Sequence, residues 1–174
     1  MNTVTFAHEM QRAIALTIEA HTFHASEPRN AIRYWDETTP YAIHPIWCAM
    51  TLLTETRLPD DVRYHGYLAL LWHDLLEDTT MQLPHDIHPD VAQLVHEMTF
   101  DDFEHEVADV WGRSDTTKLL KLYDKVSALL DATWMSDEKW NRFVDHALKL
   151  LAFVEQHYGE LNITKFARVI CIRR

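Results

Sequence analysis

The sequence predicts an all-α protein, and three observations carry that expectation. Apolar residues recur at three- and four-residue spacing nearly throughout. There are only three glycines, the widely separated Gly66, Gly112 and Gly159, too few for a hairpin-rich β fold. The 174 residues, 47% hydrophobic and 25% charged, suffice for one well-buried core. No repeat, low-complexity tract or linker divides the chain, so residues 1–174 read as a single compact domain.

The elements follow in order. Phe6, Met10, Ala13, Ile14, Thr17, Ile18 and His21 hold the spacing of an amphipathic first helix. Residues 27–41 are polar and contain Pro28 and Pro40; a loop this long inside a compact domain is often functional. A second helix begins near His44, with Pro45 suited to its first turn. Pro59-Asp60 opens a third helix expected to run to about Glu77, apolar all round in its second half and so buried at the centre. His88-Pro89-Asp90 starts a fourth helix to about Met98, and residues 101–109 suggest a weak acidic helix. Asp115 is read as the N-cap of a strong helix through Leu119, Leu122, Tyr123, Val126 and Leu130. Ser136 caps a last long helix that Gly159 ends. The tail 163–174 mixes β-branched and basic residues, and its structure stays open.

Composition excludes several function classes. Three isolated glycines cannot make a Walker A loop, a GxGxxG turn or a nucleophile elbow. The net charge of −11 argues against a nucleic-acid groove, and it demands a metal or a local basic cluster if the substrate is phosphorylated. Cys48 and Cys171 form no CxxC motif and read as two buried free thiols. No apolar run approaches the ~20 residues that span a bilayer, and the start MNTVTFAHEMQR lacks the order of a secretion signal. A cytoplasmic protein with no membrane partner is expected; the oligomeric state is open.

The segment LLWHDLLEDTT, residues 70–80, concentrates the chemistry. On a continuous helix His73 and Asp74 diverge by about 100°, yet both side chains can reach one ion. Glu77 and Asp78 stack one turn later on the same side. Burying these acids unpaired would be costly, whereas a divalent cation compensates them. The alternative is a solvated acidic helix end with a capped core histidine. Likewise His44 is either a ligand facing a cleft or a solvated cap, and Asp124 is either a ligand or the partner of Lys121 or Lys125 in a salt bridge.

Three separated pieces, PYAIHP (40–45), LLWHDLLEDTT (70–80) and KLYDKVSALL (121–130), occur in the order expected of the HD superfamily of metal-dependent phosphohydrolases. More narrowly, they resemble the hydrolase domain of the RelA/SpoT alarmone enzymes and their stand-alone small homologues, over about residues 21–130. The resemblance implies a helical bundle with the metal in a central cleft. It assigns His44, His73, Asp74 and Asp124 as metal ligands, and Glu77 and Asp78 as the acidic pair that orients or deprotonates the attacking water. It points to a divalent transition ion, Mn²⁺ first with Zn²⁺ or Fe²⁺ as alternatives, since mixed imidazole and carboxylate donors suit these ions better than Ca²⁺. Arg33, Tyr34, Lys121, Lys125 and Ser127 are the candidate substrate-binding residues. The implied substrate is a small-molecule nucleotide, with removal of the 3′-pyrophosphate from ppGpp- or ppApp-like alarmones as the first reading.

The match has one pointed departure. Alarmone hydrolases place Asn four residues beyond the last metal Asp, where this chain has Ala128, which offers no side-chain hydrogen bond. A deoxynucleoside triphosphate, a nucleoside monophosphate or NADPH is therefore the alternative substrate, and a catalytically degenerate nucleotide- or partner-binding module the alternative class. A di-iron oxygenase would need further histidines, and the spacing of His65, His85 and His88 gives no ligand pattern. His21 and His24 either border the cleft or decorate a polar helix face. His96, His105, His146 and His157 read as surface residues.

Overall fold

The computed structural model describes residues 3–172 and is helical throughout its ordered framework. The first helix, α1 (Thr3–Phe23), buries Ala13, Thr17, Ala20 and His21, a face of mostly small residues that lets it lie close to its neighbours. The polar stretch after it is an irregular loop with one 3₁₀ turn at Pro28–Ala31, tied down by isolated bridges from Ala25 to Thr79 and from Ile32 to Pro40.

Helices α2 (Ile43–Leu53) and α3 (Asp60–Trp72) form the central pair. Every residue from Gly66 to Leu75 is buried, as an all-apolar helix half requires. Gly66 is needed for the close approach: a Cβ there would sit 2.8 Å from Leu52 and 3.0 Å from Leu120. Next come the single turn α4 (Leu75–Asp78), α5 (Pro89–Met98) and the short α6 (Phe103–Asp109). Helix α7 (Asp115–Leu130) runs through the middle, with every residue from Thr117 to Ser127 buried against α2, α3, α5, α8 or α9. The long α8 (Asp137–Tyr158) covers α7, and Gly159 stops it at φ 74, a conformation that favours glycine. One continuous apolar cluster joins these helices.

Three sequence expectations need correction, and the open tail is resolved. The third helix does not reach Glu77 but breaks at His73-Asp74, although no Gly or Pro marks the place. Side chains make the break: His73 Nδ1 donates to Leu70 O and Thr17 Oγ1 to Leu71 O, so two carbonyls of the last turn have partners from outside the helical ladder. The cap of α7 is Ser114, whose Oγ accepts from Thr117 N, rather than Asp115. The tail left open forms α9 (Asn162–Ile170), burying Ile163, Thr164, Ala167 and Ile170 at helical spacing. Its first amides are met by Glu55, a buried acid from another loop that accepts from Asn162 N and Ile163 N, each at 2.9 Å. Finally, His146 is buried on α8 rather than at the surface. Both cysteines are free and buried, as expected, and no helix among the described residues is long and apolar enough to cross a membrane.

Candidate metal centre

Three distant stretches deliver one cluster of donor atoms. The first turn of α2 contributes His44, the α3–α4 junction His73 and Asp74, and the middle of α7 Asp124, all buried. His44 Nε2 lies 3.3 Å from His73 Nε2, 3.5 Å from Asp74 Oδ2 and 3.3 Å from Asp124 Oδ1. His73 Nε2 lies 3.1 Å from Asp74 Oδ1 and 3.8 Å from Asp124 Oδ1. Neighbouring donors on a divalent transition ion with ~2.1 Å bonds are separated by about 3.0 Å in an octahedron and about 3.4 Å in a tetrahedron. The His44–His73–Asp74 group comes close to those dimensions, Asp124 Oδ1 stands 3.3 and 3.8 Å from the two imidazoles, and the donor types suit such an ion.

The break in α3 brings the two adjacent donors closer together. At Asp74 the backbone turns to φ −91, ψ 0, near the sparsely populated bridge region. Adjacent residues that would diverge on an unbroken helix thereby offer donors 3.1 Å apart. Each donor is fixed from behind, as ligands of a metal require. The other nitrogen of His44 pairs with Ser127 Oγ at 2.8 Å, and that of His73 with Leu70 O at 2.8 Å. The Tyr41 hydroxyl donates to Asp74 Oδ2 at 2.8 Å. Lys121 and Lys125 hold Asp124 Oδ2 at 2.8 and 3.2 Å, leaving Oδ1 toward the imidazoles.

Electrostatics report the same demand for positive charge. Burial lowers the His44 imidazole, as it does for any charge taken out of water. The equally buried His73 is instead raised to about 9, because Asp74 and Asp124 outweigh the burial. Removal from water along the cleft wall, followed by the nearby Asp74 charge, holds the Asp78 carboxyl above the usual carboxylate range.

The donors open into a cleft of about 210 Å³. Glu77 is exposed at its mouth, with Oε1 accepting from Phe100 N at 2.7 Å. Arg33, Tyr34, Asp78, Lys121 and Lys125 also line it, together with Tyr41, Glu106, Ala128, Trp134, Met135 and Phe143. The cations are already engaged. Arg33 makes a two-pronged bond to Asp131 at 2.6 and 2.9 Å, while Lys121 and Lys125 share Glu106 at 2.7 and 2.8 Å. Ser127 is directed at His44, with its hydroxyl committed to that ring.

Two site residues, Glu106 and Tyr41, escaped the sequence reading. Glu106 is one acid of the weak acidic helix expected over 101–109, yet it is 4% exposed, and the two lysines and His146 keep its carboxyl at about 2 against the cost of burial. Tyr41 lies inside the PYAIHP piece, and His21, 1% exposed, stacks obliquely 4.8 Å from it. For His21 the signal was present, since it completes the apolar spacing of α1.

No protein-family model matches this chain, and no curated protein sequence matches it. Among solved structures it superposes on a metazoan ortholog of SpoT, described as hydrolysing ppGpp and playing a role in starvation responses. The alignment covers 92% of each chain at 23% identity, with a TM-score of 0.66. The two chains share one fold. That fold is all-helical, as the sequence led us to expect.

Proposed function

We propose that this protein is a metal-dependent nucleotide phosphohydrolase, and that its substrate is a ppGpp- or ppApp-type alarmone from which it removes the 3′-pyrophosphate. The observation that carries this reading is the grouping of His44, His73 and Asp74, with Asp124 Oδ1 3.3 and 3.8 Å from the two imidazoles, beside a cleft that His44, Asp74 and Asp124 line. The ppGpp-hydrolysing activity of the structural neighbour supports it. These four residues would hold the ion, Mn²⁺ by preference. A divalent cation in that place supplies Lewis acidity toward a phosphoryl oxygen and acidifies water.

The remaining chemistry belongs to the side chains. Glu77, anchored through one carboxylate oxygen to Phe100 N, has the other free to orient the attacking water and take its proton. Asp78, beside it on the cleft wall, secures the second position of the acidic pair. The ammonium groups of Lys121 and Lys125 and the Arg33 guanidinium face the negative charge that grows on the phosphoryl oxygens. Tyr34, edge-on to Trp134 with centroids 4.6 Å apart, offers an aromatic wall for a base.

A second reading has its own observation: Ala128 lines the cleft one turn beyond Asp124, where an apolar methyl cannot recognise a base by hydrogen bonding. A different nucleotide then fills the same site. A panel assay with Mn²⁺ decides between them, offering ppGpp, ppApp, deoxynucleoside triphosphates, nucleoside monophosphates and NADPH. Pyrophosphate from the first two is expected. Inorganic triphosphate from deoxynucleotides would replace the alarmone by another nucleotide, and no product from any substrate would leave only a binding module.

A further inference from the structure

Among the described residues a second group of histidines and acids has the dimensions of a metal site: His65 on α3 with His88 and Asp90 at the start of α5. None of the three lines the cleft of the first centre. We propose that they form an independent site for a divalent transition ion of the Zn²⁺ or Ni²⁺ kind, strapping the beginning of α5 to α3.

Both imidazoles bring Nδ1 toward the same carboxylate oxygen, Asp90 Oδ2, at 3.6 Å from His65 and 3.7 Å from His88. These separations are too long for hydrogen bonds. They are slightly wider than the ~3.4 Å between donors of a tetrahedral ion with ~2.05 Å bonds to nitrogen. The two ring centroids are 4.5 Å apart, so both imidazoles lie at the same spot. His88 and Asp90 are 55% and 63% exposed at their side chains, so small rotations close the gap and water completes the coordination.

The surroundings suit a cation. Asp61 lines the same surface groove as His65 and Asp90, and Asp86 nearby is neutralised by Arg12. One existing contact is given up: Asp90 N donates to His88 Nδ1 at 3.3 Å. That amide sits at an exposed helix start, where water replaces the bond, and Pro89 before it has no N–H to satisfy. Two imidazoles and one carboxylate rank Ni²⁺, Cu²⁺ and Zn²⁺ above Mn²⁺ and Mg²⁺. The site should therefore take Zn²⁺ or Ni²⁺ in preference to Mn²⁺.

The test is Zn²⁺ bound per chain after equilibrium dialysis, read by metal analysis for the wild type, His65→Asn, His88→Asn and Asp74→Ala, with circular dichroism to verify folding. The wild type should hold two ions, and each surface variant one. In the wild type, Zn²⁺ should also raise the melting temperature by more than it does in either surface variant. Unchanged stoichiometry in either His65→Asn or His88→Asn overturns the proposal. Loss of an ion in those variants but not in Asp74→Ala would leave the second site standing and instead count against the first centre.

Discussion

The two sides of the cleft are built on different principles. On the side formed by α2, the α3–α4 junction and α7, every donor atom is backed by a second bond to Ser127, Leu70 O, Tyr41 or a lysine, and the donors are buried. On the other side, the loop before α2 and the residues after α7 present Tyr34 and Trp134, each 38% exposed. A charge cluster can hold only one arrangement without large desolvation costs, whereas an aromatic rim accepts many planar ligands. The chemistry of this protein is thus narrowly constrained by its geometry, and its substrate preference far less so.

That contrast can be sharpened by substitutions on each side. The largest effect belongs to Glu77→Gln, whose amide oxygen can still accept from Phe100 N while losing the basic oxygen. Turnover should fall by about 10²–10⁴ with ion content unchanged, as steady-state kinetics and metal analysis would show. Ser127→Ala frees His44 to rotate, and ion affinity measured by chelator competition should drop roughly 10- to 100-fold. On the opposite wall, Trp134→Ala should raise KM by about 2- to 10-fold with kcat nearly intact, as expected from the loss of one aromatic contact. A larger loss in kcat than in KM there would erase the distinction between the walls.

The smallest effect lies outside both. Burial opposes ionisation of Glu97, but hydrogen bonds from Ser114, Thr117 and Gln93 hold it at about 2. A carboxyl depressed on folding stabilises fully above its unfolded value of ~4.3 and loses that contribution as pH falls through its folded value. The wild type should therefore outlast Glu97→Gln at neutral pH, and the difference should vanish as acid unfolding is followed down toward pH 2.

Much of this was legible in the chain itself. Helical periodicity placed α1, α2, α5 and α8, because each buries one stripe and carries conventional punctuation such as Pro45, Pro89, Ser136 and Gly159. The four candidate ligands were implied by the resemblance of three sequence pieces to a known family, and the structure brings them near one another. What stayed hidden depends on contacts distant in sequence. The break at His73-Asp74 is secured by Thr17, 54 positions from the Leu71 carbonyl it binds. Glu55 caps a helix more than 100 residues away, and Glu106 becomes buried only because α7 and α8 bring Lys121, Lys125 and His146 to it. The grouping of His65 with His88 and Asp90 is hidden for the same reason.

The most direct test of the first centre is the anomalous scattering of Mn²⁺-loaded crystals, collected for the wild type and Asp74→Ala. One strong peak within bonding distance of His44 Nε2, His73 Nε2 and the carboxylates of Asp74 and Asp124 is the predicted result, with the peak lost in the variant. A peak held by other residues, or none beside the His73-Asp74 pair, would contradict it.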